Sequence, residues 1–445
     1  MADVHAFRAF RYDLGRVGSL SDVVAPPYDV IDAALQEALL ARSRYNVLHV
    51  DLPRDLPGDH EQHNRYTRAA ATLRDWLDDR VLVQDSARSL YAYEQEYQAE
   101  DGQTYTRRGF LARVRLEPFG QGRIYPHEQT LAGPKADRLS LYRATRMNLS
   151  PVFGLYPDPE GSVYAPLAEY TRRHLPLEAT DHLGVKSRLW PVTDPSIITA
   201  VTAGMGPRPI FIADGHHRYE TGLKYAQEQE ALGEARGDDA PQRFILMMLV
   251  SMSDPGLLIM PTHRLVSGLG RPTAPALAER LRSHFELQPV GTGPAAARQT
   301  WELIQADGTQ AVLGFGTVAD GRWQLARLTK PEAMAQLAPQ QSPAWRELAV
   351  SVLHRLVLDT LLAPLLAPAA SDRPAPPAAC RYVHLLGEVE QACAAAECEL
   401  AVLVPPATMQ QVQRIASNGE TMPPKSTYFY PKLLSGLVFN SLHQH

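Results

Sequence analysis

The chain has 445 residues, more than one ordinary hydrophobic core accommodates, so roughly two or three domains are expected. Its composition, 45% hydrophobic and 21% charged, is typical of a soluble globular protein. The net charge of −5 argues against a nucleic-acid-binding protein that works through a large basic surface.

Cysteine usage and hydropathy indicate the compartment. Cys380, Cys393 and Cys398 show no CxxC spacing, which argues against a structural zinc site or a disulfide framework. The N-terminal stretch "MADVHAFRAFRYDLG" lacks the apolar core of a signal peptide. The apolar stretch 348–366 carries charged residues well inside its span, so it predicts a core helix and not a membrane span. We therefore expect a soluble, cytoplasmic protein without a membrane partner.

The first half of the chain predicts alternating helices and strands. A helix is expected over 61–79, where these residues recur at helical spacing: Tyr66, Ala69, Leu73, Trp76 and Leu77. The stretches "SLYAYEQEY" and "YTRRGFLARVRL" flank an Asp101-Gly102 turn and predict an antiparallel pair. A further helix is expected to begin near Asp137 and end at Asn148, followed by a strand in "SPVFGLYP".

The second half continues in the same mixed pattern. "SRLWPVTD" and "RPIFIAD" predict strands with the helix "PSIITAVTAG" between them, and "RFILMMLVSMSD" predicts a buried strand after a polar loop over 232–242. The stretch 367–379, rich in Pro and Ala, predicts a linker, and the tail reads strand, helix, strand, helix. The class is mixed α/β or α+β.

The stretch "IADGHHRYET" carries the strongest functional signal. An apolar strand, "PIFIA", is followed by Asp214, Gly215, His216, His217 and Arg218, and then by a helical pattern. At a strand-to-helix turn, the first helical N–H groups have no partner within the helix and the macrodipole adds positive charge. Glycine lets the backbone approach a ligand or adopt a positive φ, and arginine suits phosphate or carboxylate oxygens. The motif therefore predicts an anion site, most naturally for phosphate.

Two other interpretations of this turn remain. A zinc site is disfavoured, because adjacent histidines point in different directions and zinc motifs space their ligands three or four residues apart. Asp214 is a candidate ligand for a nucleotide-associated Mg²⁺, or a cap of the helix. In a purely structural turn, Asp214 would cap the helix and Arg218 would pair with Glu220 or Glu228.

The motif and several other stretches carry a family resemblance. "ADGHHR" resembles the phosphate-binding motif of the ParB/sulfiredoxin superfamily, which includes kinases of free serine. The whole chain resembles a bacterial and archaeal family, domain of unknown function 1015 (DUF1015), through "APPYDVI", "HEQTLAGPKADRL", "NLSPVFGLY", "IADGHHRYET" and "MPPKSTYFYPKLLSGL". The resemblance implies a ParB/sulfiredoxin-like nucleotide-binding core over 121–235, an N-terminal α/β segment over 1–120 and a C-terminal α/β region over 236–445.

The superfamily's serine kinases use a glutamate upstream of this motif, in a His-Glu context, as general base. The resemblance implies that role for Glu128 in "YPHEQT", beside His127, with Asp214 as the third catalytic residue. A carboxylate within hydrogen-bond reach can take the proton of a hydroxyl that attacks a terminal phosphate. Alternatively, Glu128 is a surface residue of a loop bounded by Pro and Gly.

Two further stretches supply candidate substrate-binding residues. "PKADRLSLYR" offers Lys135 and Arg138 for a phosphate or a substrate carboxylate, although Arg138 could equally pair with a neighbour. "MPPKSTYFYPK", a predicted loop bracketed by two lysines, offers Lys425, Ser426 and Thr427 to an anion, but it lacks the glycines of a P-loop. "APPYDVI" is a further candidate for lining a pocket.

Three functions follow in order of preference. The first is a small-molecule kinase that transfers phosphate from a Mg²⁺-bound nucleotide, ATP or ADP, to a small hydroxy-amino acid such as L-serine. The second is a ParB-like regulator that binds or hydrolyses a nucleotide to change its interaction with a protein partner, and the third is a metal-dependent hydrolase using His216 and His217. No nucleic-acid partner is expected, and a homodimer is left open.

Overall fold

The computed structural model describes residues 2–128, 133–365 and 379–443. Contacts divide the chain into two compact units. Unit 1 comprises Met1–Pro126, Thr130–Leu258 and Pro431–His445, and unit 2 comprises His127–Gln129 and Ile259–Tyr430. The three segments expected from the sequence remain a prediction about domains.

Strands and helices are interspersed along the chain, which confirms the mixed α/β class. The strands are β1 Val4–His5, β2 Phe10–Tyr12, β3 Leu82–Gln84, β4 Leu90–Gln98, β5 Thr104–Arg115, β6 Ile124–Pro126, β7 Met147–Asn148, β8 Val152–Tyr156, β9 Leu177–Thr180, β10 Lys186–Val192, β11 Ile210–Asp214, β12 Phe244–Ser251, β13 Leu258–Met260, β14 His263–Ser267, β15 Phe285–Thr292, β16 Val312–Thr317, β17 Arg322–Leu328, β18 Ala379–Val383, β19 Leu400–Leu403, β20 Tyr428–Tyr430 and β21 Asn440–Ser441.

The α-helices vary from a single turn to more than four turns. They are α1 Leu14–Val17, α2 Ala33–Arg42, α3 Leu48–Asp51, α4 Arg65–Asp78, α5 Gly133–Thr145, α6 Ala165–Thr171, α7 Pro195–Met205, α8 His216–Ala231, α9 Ala274–Leu281, α10 Gly293–Asp307, α11 Glu332–Leu337, α12 Pro343–Arg346, α13 Ala349–Ser351, α14 Leu386–Ala394 and α15 Met409–Ser417. A π-helix spans Val352–Leu361.

Unit 1 is built on a mixed sheet with the strand order β6-β11-β8-β12-β5-β4-β10-β9, and β1 also pairs with β5. The pairs β6–β11 and β8–β12 are parallel, whereas β4–β5 is the antiparallel pair predicted around the Asp101-Gly102 turn. Because β6 and β11 run in parallel, with Pro126 opposite Ile212, both strands end at the same edge of the sheet. The D-G-H-H-R turn follows β11 at that edge.

One face of this sheet is buried under helices. Side chains alternate along β4, so Leu90 and Ala92 join a core that also contains Leu167 of α6, Val201 of α7 and Tyr219 of α8. The Tyr219 hydroxyl lies 2.9 Å from both the N–H and the carbonyl oxygen of residue 117, which fixes α8 to the loop after β5. The start of α8 is thus held rigidly against the sheet.

Unit 2 contains an antiparallel sheet with the order β15-β17-β16-β19-β14-β18. Alternation along β14 and β19 sends Val266 and Val402 into one core and Leu265 and Leu403 into another. Helices cover both faces of the central strands, so β16 and β19 are buried on their two sides, whereas the edge strands β15 and β18 are largely exposed. This explains the continuous apolar runs in the sequence.

Most predicted elements are found, with two differences. The helix expected to run from near Asp137 to Asn148 spans Gly133–Thr145 instead. It ends at Thr145 because Arg146 takes a φ of +48° and the Asn148 side chain accepts a hydrogen bond from the N–H of Leu246. The described part of the apolar stretch, 348–365, is a largely buried helix as expected, but mostly of the π type. Nearly all of the predicted linker 367–379 lies outside the described residues. No described helix has the length and apolar character needed to cross a membrane.

Candidate functional site

The D-G-H-H-R turn joins β11 to α8 in unit 1, as the sequence predicts. Strand β11 ends at Asp214, Gly215 takes φ +86° and ψ +26°, and α8 starts at His216 and runs for 16 residues. The residue at the helix start is glycine, so no side chain caps it, and the predicted capping by Asp214 is not found. The positive end of the α8 dipole is therefore left to other groups.

Gly215 has a second reason to be glycine besides its positive φ. A Cβ at this position would lie 3.0 Å from Nε of Arg218, because the arginine side chain folds back beneath the turn. Arg218 is 3% exposed, donates to the carbonyl oxygen of Pro151 and has Nη2 3.6 Å from Oδ1 of Asp214. Within the described residues, its Nε has no hydrogen-bond partner. The guanidinium thus supports the turn from inside.

The ion pairs expected in the purely structural interpretation are not formed by Arg218. Glu220 pairs with Lys135 at 2.5 Å, and Glu228 pairs with Arg143 at 2.7 Å. Burial lowers the pKa of Arg218, but the nearby acidic groups, Asp214 first among them, together outweigh burial and hold that pKa above its usual value. Arg218 is therefore a permanent cation inside unit 1.

Asp214 has a partner that the sequence did not identify. Nζ of Lys432 donates to Oδ2 of Asp214 at 2.6 Å, across 218 residues of chain, and the two side chains are 14% and 15% exposed. Burial would raise the pKa of Asp214, but Lys432 and then Arg218 outweigh burial and hold that pKa far below its usual value. Asp214 is thus a carboxylate between two cations.

The backbone at Lys432 is held by hydrogen bonds from two side chains. The Gln95 side chain donates through Nε2 to the carbonyl oxygen of Lys432 at 3.0 Å, and Arg107 donates through Nη2 to that of Pro431 at 2.6 Å. Arg107 also donates to Oε1 of Gln95, and its guanidinium lies 4.6 Å from the ring centroid of Phe153. Burial lowers the pKa of Arg107 to about 10. The sequence contained no local signal for this arrangement.

The predicted residue Arg138 lies in unit 1 but is engaged by protein groups. Its Nη1 donates to the carbonyl oxygen of Asp51 at 2.7 Å and faces Oδ1 of the same residue at 3.2 Å, and Nη2 lies 2.7 Å from Asp137. Its guanidinium lies 4.2 Å from the ring centroid of Tyr28, a residue of "APPYDVI". Burial raises the pKa of Tyr28 to about 12, although the nearby charge of Arg218 opposes this. Arg138 therefore supports the region around the turn and does not face an open site.

Lys135, the other candidate in α5, is half-buried and lies against α8 through Glu220. Unit 1 therefore brings together one strand end, two helices and the C-terminal segment around the turn. The residues it assembles are Tyr28, Lys135, Arg138, Asp214, Gly215, His216, His217, Arg218 and Lys432.

The remaining predicted residues meet in unit 2. Residue 128 forms a parallel bridge with Met422, whose N–H donates to the carbonyl oxygen of His127 at 2.7 Å. Oε1 of Glu128 accepts from the N–H of Lys425 at 2.6 Å, and Nε2 of His127 lies 2.7 Å from the hydroxyl of Thr427. The "HEQT" and "KST" stretches, about 300 residues apart in the chain, thus form one cluster. Gln129 and Thr130 of this motif lie outside the described residues.

The turn 423–427 is itself tightly fixed. Ser426 is buried and donates to the carbonyl oxygen of Pro423 at 2.6 Å, while Arg264 donates to that of Lys425 at 2.8 Å. Lys425 takes a φ of +59°. Ser426 is therefore a structural residue of this turn, and it is the N–H of Lys425 that holds Glu128.

The groups expected of a metal centre are only partly present. Within residues 2–128, 133–365 and 379–443, no three His, Cys, Asp or Glu side chains are grouped so that they could hold a metal ion. Asp214 could offer Mg²⁺ a single carboxylate, but Lys432 contacts one of its oxygens and Arg218 faces the other. The predicted metal role does not fit these contacts.

A family model described as protein of unknown function (DUF1015) matches residues 4–351. The chain belongs to this family. The predicted resemblance to DUF1015 is thereby confirmed, whereas the ParB/sulfiredoxin-like motif remains a prediction. No curated protein matches this DUF1015 chain.

Three solved structures with similarity to this chain are compared with it by identity, TM-score and coverage. A conserved hypothetical protein from Pyrococcus furiosus is 12% identical, with a TM-score of 0.32 over 70% of this chain and 89% of that chain. A free serine kinase in complex with AMP is 12% identical, with a TM-score of 0.33 over 69% and 83%. SbnI with a C-terminal truncation, from Staphylococcus aureus, is 11% identical, with a TM-score of 0.33 over 74% and 86%. Likenesses of this size carry no functional conclusion for the DUF1015 chain.

Proposed function

We propose that this protein is a small-molecule kinase that transfers the terminal phosphate of ATP or ADP, supplied with Mg²⁺, to the hydroxyl of a small amino acid, with L-serine as the first candidate. The observation that carries the proposal is the Gly215 turn at the start of α8. A long helix begins there with a buried arginine beneath it, and Nε of that Arg218 has no acceptor among the described residues. Such a turn favours an anion.

Phosphate is the anion that best suits this turn. Backbone N–H groups at a helix N-terminus bind phosphate oxygens, and the dipole stabilises their charge. His216 and His217 begin the helix, and their ring nitrogens are additional donors when protonated. The predicted roles of Gly215, His216 and His217 in phosphate binding are therefore retained. Arg218 acts from below, as a buried cation.

The proton of the acceptor is proposed to pass to Glu128. The carboxylate takes the hydroxyl proton, the hydroxyl oxygen forms a bond to the terminal phosphorus, and the bond from phosphorus to the nucleotide oxygen breaks. The nucleotide leaves with one phosphate fewer. The Lys425 N–H donates to Oε1 of Glu128 and fixes the carboxylate. The proposed base is therefore already oriented and does not have to reorganise during the reaction. His127, beside it, is proposed to orient Thr427.

Fewer residues are proposed to bind the substrate than the sequence indicated. Arg138 and Ser426 are engaged by protein groups and are proposed as supporting residues. Lys135, a half-buried cation of α5 that contacts Glu220 in the first turns of α8, is proposed to bind the substrate carboxylate by exchanging Glu220 for it. Mg²⁺ is proposed to bind the nucleotide phosphates, and no metal bound by protein side chains takes part in the proposed reaction.

The test is direct synthesis of phosphoserine. The full chain is incubated with Mg²⁺, L-serine and either ATP or ADP, and products are followed by phosphorus NMR. The variant Glu128→Gln removes the base while keeping an acceptor for the Lys425 N–H, and we expect the turnover rate to fall by roughly 100- to 10,000-fold. The matched control is Glu286→Gln, at an exposed position of β15.

Each result decides the proposal. Phosphoserine formed by the wild type and by Glu286→Gln, but not by Glu128→Gln, supports it. Nucleotide binding without phosphoserine overturns the kinase proposal and favours the nucleotide-dependent regulator. Equal rates in the wild type and Glu128→Gln refute the role of Glu128.

A further inference from the structure

Lys432 occupies the position that a metal ion bound to Asp214 would need. Its ammonium contacts Oδ2 at 2.6 Å, while Nη2 of Arg218 lies 3.6 Å from Oδ1. Mg²⁺ binds carboxylate oxygen at about 2.1 Å with near-octahedral geometry, so it would have to displace the ammonium. Two cations cannot share that side of one carboxylate without strong repulsion.

The placement of Lys432 depends on buried side chains and not on chance surface contact. Gln95 and Arg107, both fully buried, donate to the carbonyl oxygens of Lys432 and Pro431 at 3.0 and 2.6 Å. Burying an arginine is costly unless its hydrogen bonds compensate, so this clamp is an expensive feature to maintain. Its effect is to hold the backbone of Lys432 so that the side chain ends at the α8 turn.

We infer that Lys432 is the phosphate-contacting cation of the α8 turn, and that Asp214 is a positioning residue for Lys432 and not a metal ligand. Lysine is a compact cation on a flexible four-carbon chain, so its ammonium can pair with a phosphate oxygen without leaving the turn. Asp214 fixes the ammonium beside Gly215 and His216, the first residues to face a bound phosphate. Gln95 and Arg107 position the backbone. This inference rests on the proposed phosphate site, but it does not require kinase activity.

The first test measures anion binding without chemistry. Binding of inorganic pyrophosphate to the full chain is measured by titration calorimetry in EDTA and then with excess Mg²⁺. Changing Lys432 alone would leave Asp214 without its closest cation, so the informative variant is the pair Lys432→Met with Asp214→Asn. The control Lys224→Met removes an exposed lysine from α8, the helix that starts at the turn.

We expect the wild type and Lys224→Met to bind pyrophosphate in EDTA, and the double variant to bind roughly 10- to 100-fold more weakly, because a charge-assisted hydrogen bond is lost. Asp214→Asn alone retains the Lys432 ammonium and should bind more tightly than the double variant. The inference is overturned if the double variant binds like the wild type, or if the wild type does not bind. It is also overturned if Mg²⁺ strengthens binding at least tenfold in the wild type but not in Asp214→Asn.

A second test requires no ligand and separates this inference from the kinase proposal. Acylation of lysine amines by an N-hydroxysuccinimide ester is followed by mass spectrometry. Lys432 should react slowly in the wild type, and severalfold faster in Asp214→Asn and in Gln95→Leu, with Lys224 unchanged in all three. Equal labelling of Lys432 in every protein would contradict the positioning roles. Failure to form phosphoserine, with these results intact, would refute the kinase and leave the inference standing.

Discussion

Replacing Gly215 by alanine tests how the turn before α8 is built. Two costs are expected. A side chain at φ +86° carries left-handed backbone strain of roughly 1–2 kcal/mol. In addition, the new Cβ would lie 3.0–3.1 Å from three guanidinium atoms of Arg218. That guanidinium is held by Pro151 and faces Asp214, so displacing it costs a charged hydrogen bond, about 1.5–3 kcal/mol.

The matched control is Gly233→Ala, just after the other end of α8. Gly233 has a similar φ of +72°, but a Cβ there would meet no atom within 4 Å. Gly233→Ala should therefore cost only the strain, roughly 1–2 kcal/mol, while Gly215→Ala should cost about 2.5–5 kcal/mol. The difference, about 2 kcal/mol, measures the contact with Arg218.

The assay must report on unit 1, because a chain of two compact units need not unfold in one step. Urea unfolding is therefore combined with hydrogen exchange of peptides from α8. A double-variant cycle of Gly215→Ala with Arg218→Met should show coupling, since removing the guanidinium removes the clash. Equal costs for Gly215→Ala and Gly233→Ala, together with additive behaviour in the cycle, would refute this account of the turn.

Three other predictions concern buried or strained groups. Burial raises the pKa of Asp254 to about 6, so its ionisation opposes folding, and stability is lost as the pH rises through about 6. Asp254→Asn should therefore stabilise unit 1 by up to about 3 kcal/mol at pH 8 and not at all below about pH 4, in urea midpoints measured across pH. A gap between the two proteins that does not vary with pH would contradict this. Arg138→Met leaves the Asp51 carboxylate buried without its cation, so the free energy of unfolding should fall by about 3–5 kcal/mol. A loss below about 1 kcal/mol would show instead that the ion pair is solvated. Lys425→Gly relieves the strain of a φ of +59° and keeps the N–H that holds Glu128. The free energy of unfolding of unit 2 should therefore rise by up to about 1 kcal/mol in thermal unfolding, whereas Lys425→Ala should give no such rise.

Local patterns in the sequence were sufficient to predict the turn itself. The apolar run "PIFIA", the glycine and the helical periodicity that follows are consecutive, and each has a preference that acts over a few residues. The same holds for the β4–β5 hairpin around Gly102, which takes a φ of +76°. Helix α5 was placed less well, because its end depends on Arg146 leaving the helical conformation, and nothing in the sequence marks that residue.

The partners of the predicted site residues were not predictable in this way. Lys432 reaches Asp214 across 218 residues, and Lys425 reaches Glu128 across 297, so no periodicity or spacing connects either pair. The sequence identified Lys425 and Lys432 as the two ends of an unusual stretch. It could not show that one offers its backbone N–H and the other its ammonium. Such assignments depend on the tertiary structure.

Charge balance distinguishes two of the ionic groups of unit 1, the one around Arg138 and the one at the α8 turn. Around Arg138 the charges cancel, since that residue and Arg65 meet Asp51 and Asp137, and the hydrogen bonds are made within the protein. Such a group has no need of a ligand.

At the α8 turn two cations, Arg218 and Lys432, face the carboxylate of Asp214, and the helix dipole adds further positive charge. An anion bound at the turn would be stabilised by these positive charges. Because Asp214 already accepts from Lys432, the group as a whole favours an anion over a metal cation.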